Sequence, residues 1–432
     1  MATTLSPHLK QATPVVVDHA QGSWIYGTDG RTYLDFTTGI GVTSTGHCHP
    51  RVVEAAREQV GKVIHAQFTT VMHQPLLKLT ERLGDVLPAR LDSVFYANSG
   101  AEAVEAAVRL ARMATGRPNI IAFHGGFHGR TVAAASLTTA GSRFRSGFGP
   151  MMGGVAIAPF PDAIRYGKSE DEAVRFALGE LDLILRTVSH VDDTAAFIIE
   201  PALGDGGYLP TPLAFLAGLR ERADKHGIKL IIDEIQAGVG RTGKFWGHQW
   251  STVEPDIITF AKGIASGFPI SGIAASADTM AKAWPGSQGG TYGGNAVAAA
   301  AAVATLDVIR DENLVENARV RGAELKERIA ELARSYPQIV DVRGRGLMIG
   351  IEFAEADTTG DTTGATIAGS KARPDLAGAV QKKAIDEDLL LLTCGLRDNV
   401  VRVIPPLNVT ADEVVTGLER LERTFAAVLP TA

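Results

Sequence analysis

The sequence predicts an α/β protein: a mostly parallel β-sheet with helices over both faces, followed by a smaller α+β part. Short β-rich runs joined by amphipathic helical stretches extend from about residue 92 to residue 260, the order that builds βαβ units. Apolar runs such as AAFIIE at 195–200 and KLIID at 229–233 suit strands covered on both faces. The chain has 432 residues, 45% hydrophobic and 21% charged. At about 150 residues per domain this is enough for two to three domains and a large core.

The elements follow in order. An N-terminal arm to about residue 50 is rich in Gly, Thr and Pro, with β-like pieces at 23–26 and 32–36. From Arg51 the pattern turns helical. Strands are expected at 92–97, 119–123, 155–158, 195–200, 229–233 and 256–260, and helices at 102–114, 171–188 and 213–226. A long helical stretch over 295–335 leads to strands at 338–342, 347–353 and 400–403 and a closing helix at 411–427. The Thr/Gly/Ala-rich stretch between 354 and 374 is expected to be a surface loop.

Composition narrows the function. Lys+Arg 42 against Asp+Glu 48 gives a net charge of −6, which argues against general nucleic-acid binding. Two cysteines, Cys48 and Cys394, cannot form a disulfide framework or a cysteine-rich metal site. No basic segment leads into an apolar run at the start, and no apolar run reaches about 18 residues. The alanine-rich stretch 296–304 is too short to span a membrane and suits a tightly packed helix. The expectation is a soluble cytoplasmic enzyme.

Two motifs are decoys. Gly238, Gly240 and Gly243 fit G-x-G-x-x-G after a strand, but a dinucleotide site needs a helix opening there, and KFWGHQW follows. His124 and His128 have the spacing of a helical zinc pair, yet Gly125, Gly126 and Gly129 oppose a helix, so no metal is expected. The run His47-Cys48-His49-Pro50 has no second cluster to complete a metal site and reads as a turn.

Three features gain meaning together. Ser99, Gly100 and Ala101 lie between a strand and a helix, where free N–H groups and the helix dipole can hold an anion, although Ser99 alone could be only an N-cap. Asp233 ends an apolar strand, where a carboxylate needs a cationic partner. Lys262 follows the next strand on a glycine-rich turn, where a lysine can point into the crevice in which α/β sheets bind ligands, although alone it reads as a surface lysine on a loop. A lysine, an acid and a phosphate clamp are the parts required by pyridoxal 5′-phosphate.

These residues resemble class III, fold-type I pyridoxal-phosphate aminotransferases, most closely 4-aminobutyrate aminotransferases. The resemblance covers about residues 24–426 and rests on ordered motifs: TGHCHP at 45–50, NSGAEAVE at 98–105, FHGRT at 127–131, IEP at 199–201, DEIQ at 233–236, GRTG at 240–243, FAK at 260–262, GTYGGN at 290–295 and NVVRVIPP at 399–406. It implies a large domain with a mostly parallel seven-stranded sheet over residues 51–315. It also implies a small α+β domain over 316–432, joined by the arm 1–50.

The resemblance also implies roles. Lys262 looks like the Schiff-base lysine and proton carrier, Asp233 the partner of the pyridine nitrogen, and Gln236 the partner of the phenolic oxygen. Phe127 would cover the ring face; other members have Tyr there. Ser99, Gly100 and Ala101 would hold the phosphate, with His128 and Ile235 also against the cofactor. Thr291 matches a residue that reaches the phosphate of the neighbouring subunit, implying a homodimer with shared sites and leaving open a dimer of dimers. On the substrate side are Ile40, Arg130, Glu200, Asp205 and Arg402. Arg130 resembles the arginine for a distal carboxylate and Arg402 the one for the α-carboxylate of glutamate, each a planar fork suited to a carboxylate. Ile40 matches the apolar residue of 4-aminobutyrate enzymes, where ornithine enzymes have tyrosine.

One position departs. Asp205 stands where 4-aminobutyrate aminotransferases carry a glutamate that pairs with the Arg402-like residue, and some related racemases carry aspartate there. Arg130 and Gln236 favour transamination. The expected activity is transfer of the amino group of a ω-amino acid to 2-oxoglutarate by a ping-pong mechanism. The alternatives are a broad ω-amine:pyruvate transaminase and an amino-acid racemase or epimerase. The expected partners are small-molecule amino donors and keto acids, not nucleic acid or membrane.

Overall fold

The computed structural model describes residues 3–355 and 371–430. Its centre is a seven-stranded sheet in the order Ser93–Ala97, Ser271–Ala275, Ile257–Phe260, Lys229–Asp233, Thr194–Ile199, Asn119–Phe123, Val155–Ala158. Ser271–Ala275 runs antiparallel to both its neighbours, and the other pairs are parallel. The mostly parallel sheet expected from the sequence is the one observed.

The central strands are buried end to end; every residue of Thr194–Ile199 is buried. Helix Gly100–Thr115 crosses one face, and its Ala103, Ala107 and Ala111 are fully buried. Small side chains there let the helix axis come close to the sheet. Helix Leu213–His226 presents Phe215, Leu216 and Leu219 to a second core that includes Phe197 and Phe123.

Strand Ser271–Ala275 was not legible in the sequence. SGIAA has little β-propensity, and its position requires small residues: a Cβ on Gly272 would stand 2.5 Å from the Phe95 carbonyl oxygen. The single helical stretch expected over 295–335 is two helices, Ala296–Asp311 and Leu314–Ala333. They are separated at Asn313, whose φ of +51° is incompatible with a continuous helix.

Two four-stranded sheets accompany the first. Ile339–Arg345, Met348–Phe353, Val400–Val403 and Leu392–Cys394 form an antiparallel sheet. Val17–Gln21, Trp24–Gly27 and Thr32–Asp35 form the other, completed by Leu389–Leu390 near the C-terminus, which pairs parallel to Thr32–Asp35. The surface loop expected between 354 and 374 lies outside the described residues except at its ends, where Ala354 bridges Ala372. Among the described residues no helix is long and apolar enough to cross a membrane.

Candidate active site

The parallel strands end along one edge of the sheet, and the segments that follow them line a cavity of about 410 Å³. Ser99 to Ala101 come after Ser93–Ala97, Phe127 to Arg130 after Asn119–Phe123, and Glu200 after Thr194–Ile199. Asp233 ends its own strand, and Lys262 follows Ile257–Phe260. The crevice at the carboxyl ends of the strands is where α/β sheets place ligands.

Asp233 is buried at the cavity wall. Its Oδ1 accepts hydrogen bonds from the Thr259 hydroxyl at 2.9 Å and the Ile235 amide at 3.2 Å, and its Oδ2 lies 2.7 Å from His128 Nδ1. Thr259 is the register partner of Asp233 on the adjacent strand. His128 is wholly buried; burial opposes its charge, but the hydrogen bond and charge of Asp233, with Glu200 behind them, outweigh it and raise its pKa. The pair is a buried carboxylate oriented from three sides, able to hold a proton on a ring nitrogen placed against it.

Which amides of the NSGAE junction are free depends on Glu102. Its Oε2 accepts from the Asn98 and Ser99 amides at 2.8 and 2.7 Å, while Ser99 Oγ accepts from the Glu102 amide in a capping box. The next donors, the N–H groups of Gly100 and Ala101, are left at the positive end of a 16-residue helix facing the cavity. Gly129 packs over this turn. It has φ of +134°, and a Cβ there would lie 2.8 Å from that of Ala101, so only glycine fits.

Lys262 opens a short 3-10 turn with φ of +45°, an uncommon conformation for a residue with a side chain. Burial lowers its pKa, opposed by the carboxylates of Asp205, Glu200 and Asp233. Among the described residues its amine makes no hydrogen bond or ion pair. A buried, unpartnered amine with a depressed pKa is an activated nucleophile and proton carrier. The Gln236 Oε1 atom is also buried on this wall and has no partner.

Glu200 uses both oxygens on backbone amides. Oε1 accepts from Phe127 N–H at 2.8 Å and Oε2 from Gly204 N–H at 2.9 Å. Burial pushes its carboxyl up to about 7, with His128 opposing and Asp233 adding to the rise. Gly204 lies against Gln236: a Cβ there would be 2.6 Å from Gln236 Nε2. Asp205, the next residue, faces Arg402, with Oδ1 to Nη1 at 3.4 Å. Arg402 is 6% exposed and its Nε has no partner. It lies outside the 410 Å³ cavity wall, yet both it and Asp205 are near enough to Lys262 to act on its charge.

Residues 5–425 match the aminotransferase class-III family. The chain belongs to that family. It is 39% identical over 419 residues to 5-aminovalerate aminotransferase DavT of Pseudomonas putida, covering 97% of this chain and 95% of that protein. It is 38% identical over 418 residues to 4-aminobutyrate aminotransferase GabT of Escherichia coli, covering 96% and 94%. In structure it is similar to an amine transaminase from an uncultivated Pseudomonas species in its PLP-bound form. The TM-score is 0.88 at 27% identity, covering 99% of this chain and 98% of that one.

This class III aminotransferase uses pyridoxal 5′-phosphate, and the residues present fit it. The free Gly100 and Ala101 amides suit a phosphate, Asp233 a ring nitrogen, and the unpartnered Lys262 amine an aldehyde carbon. Gln236, on the same wall with its Oε1 unpartnered, carries an Nε2 donor of the kind that suits a phenolic oxygen. Ile235 lies against Gly100, 3.1 Å from where its Cβ would stand.

The other sequence-selected residues lie elsewhere. Thr291 is exposed on an adjoining hollow lined also by Asn98, Glu102 and Arg109. Ile40 is 43% exposed with φ of +70° and is not on the cavity wall. The His47–His49 cluster is divided: His47 binds Asp35 at 2.8 Å and His49 binds Glu312 at 3.0 Å. Gly238 to Gly243 form a turn after Asp233, with no helix opening on them. Sequence reasoning missed Thr259, Phe268 and Phe144. Only strand register, the fold of a loop and ring packing bring them to the site.

Proposed function

We propose that the enzyme moves the amino group of a ω-amino acid of four or five carbons, such as 4-aminobutyrate or 5-aminovalerate, to 2-oxoglutarate. The observation that carries this reading is a pair of arginines on different elements around one lysine. Arg130 stands on the cavity wall with no acidic partner among the described residues, and Arg402 is buried with a long ion pair to Asp205 and the Tyr208 ring beside it. Two carboxylate receptors suit two substrates that share an amino group but differ in where the carboxylate lies.

When bound, the cofactor supplies an aldehyde that takes up the amino group and a ring that accepts the electron pair released at the substrate carbon. Lys262 would hold the aldehyde carbon in the resting enzyme, and its amine would take and return the proton at the substrate carbon. Asp233, held by His128 and Thr259, keeps a proton on the ring nitrogen. Ser99, Gly100 and Ala101 would hold the phosphate, Phe127 would cover one ring face, and Gln236 would turn its amide to the phenolic oxygen. Arg130 takes the distal carboxylate of the donor. Arg402 takes the α-carboxylate of glutamate, and Asp205 offsets its charge when that space is empty.

The site is completed by a second subunit in this reading. Thr291 serves the partner's phosphate, and Ile40 belongs to the substrate side. Both are exposed in the single chain, as are Ile64, Val71, Met72 and Tyr292, an apolar set suited to burial. The pairing of Thr32–Asp35 with Leu389–Leu390 supports joining the arm 1–50 to a small domain 316–432, apart from a cofactor domain 51–315. A panel of amino donors tests the function. Donors with a terminal carboxylate four or five carbons long are expected to outpace simple amines and α-amino acids other than glutamate. Equal rates across the panel would overturn the reading.

A further inference from the structure

Phe144 has no charge and no reactive atom, and it lies in a short turn, Ser142–Phe144. Its ring is nonetheless 8% exposed and meets two residues of the cavity wall. Phe127 packs against it edge-on, with centroids 5.0 Å apart and planes at 77°. The Arg130 guanidinium lies 5.1 Å from its centroid. Among the described residues Arg130 has no hydrogen bond and no ion pair, so this ring is the contact that orients it.

The chemistry of this seat matters. An arginine held by a carboxylate spends donors and charge on that partner. An arginine held over a ring is attracted to the quadrupole and keeps all five N–H donors for a ligand. The ring has a second cation against it. The Arg143 guanidinium lies 4.7 Å from the same ring centroid, and its Nη1 donates to Asp398 Oδ1 at 2.8 Å. The loop of Asp398 is tied in turn to the residue that faces Arg402: the Gly395 amide donates to the Asp205 carbonyl oxygen at 2.9 Å, and the Asp398 amide to the Gly395 carbonyl at 3.0 Å.

We propose that Phe144 is the positioning residue for carboxylate recognition by Arg130, holding the guanidinium at the cavity wall without consuming its donors. This rests on Arg130 being the receptor for the distal carboxylate. Phe144→Met removes the ring at similar volume. It is expected to raise KM for 4-aminobutyrate by about 3- to 10-fold, with kcat within about twofold of the parent. For pentylamine, which has no carboxylate, kcat/KM is expected to stay within about twofold. Phe144→Tyr keeps the ring and is expected to keep the parent KM. Phe144→Leu serves if the methionine variant does not fold.

The experiment uses the holoenzyme. Its bound-cofactor absorbance, recorded for each variant, is expected to match the parent and shows that the Phe127 side is intact. An unchanged KM for 4-aminobutyrate in both ring-free variants overturns the proposal. So does an equal loss with pentylamine, a lost cofactor spectrum, or a tyrosine variant as impaired as the methionine one. Arg130→Ala separates the two levels. If it leaves KM for 4-aminobutyrate unchanged, the role of Arg130 fails. If it raises KM and the Phe144 variants do not, only the seat fails.

Discussion

Replacing Arg402 by methionine tests the two proposed carboxylate receptors separately. Arg402 is 6% exposed, and its Nη1 lies 3.4 Å from Asp205 Oδ1. Charge-assisted N–H···O bonds are about 2.7–2.9 Å long, so this contact is stretched by about half an ångström. With Nε also unpartnered, Arg402 retains most of its donor capacity for an incoming α-carboxylate. Hydrogen bonds to charged groups contribute about 1.5–3 kcal/mol. At 1.36 kcal/mol per tenfold, their loss slows the half-reaction with glutamate by about 10- to 150-fold. A donor without an α-carboxylate never makes the contact and is expected to lose less than about threefold. Methionine fills the space of the aliphatic stem, and Asp205, 17% exposed, can be hydrated when its partner is gone. The assay is single-turnover mixing of holoenzyme with excess glutamate or excess 4-aminobutyrate, followed by cofactor absorbance. Equal losses with both donors would refute the assignment of two receptors.

Lys262→Ala is expected to retain the fold and lose turnover by several orders of magnitude; reduction of the parent enzyme with borohydride and peptide mapping should place the cofactor on Lys262, and a label on another lysine would contradict this. Glu200 provides a pH test. Its carboxyl is held above the usual range by burial, up to about 7. Between its unfolded value and that raised value the unfolded chain releases a proton that the folded protein keeps. Folding stability attributable to this group therefore falls as pH rises through that window, by at most about 1.4 kcal/mol per unit, and is level above it. Glu200→Gln cannot titrate, so its stability relative to the parent is expected to rise from pH 5 to pH 7 in urea unfolding; a difference constant with pH would contradict the raised value.

The groups proposed as catalytic stand out in the sequence because their positions coincide with changes in local pattern. Asp233 closes an apolar strand and Lys262 opens a glycine-rich turn, so both mark strand ends before any fold is known. The motif NSGAE marked a candidate anion cradle, but not which amides remain free. That follows from Glu102 reaching back to Asn98 and Ser99. The strand Ser271–Ala275 was hidden because its small residues answer to neighbours distant in sequence, Phe95 and Phe260, rather than to local propensity. Thr259 and Phe144 were hidden for the same reason. One is selected by strand register and the other by ring packing across about twenty residues of loop and helix. Glu200 was legible as a site residue, while its bonds to Phe127 and Gly204 required the fold.

The central claim is that this site carries an amino group from a ω-amino acid to a keto acid. The most direct measurement mixes the holoenzyme, in the absence of any keto acid, with 4-aminobutyrate or 5-aminovalerate. The account predicts conversion of the bound cofactor to its amine form with one semialdehyde released per site, and return of the original spectrum with one glutamate formed on addition of 2-oxoglutarate. A spectrum that does not convert with either donor, together with exchange of the α-proton of a chiral amino acid without keto-acid formation, would contradict the account and assign the site to racemisation.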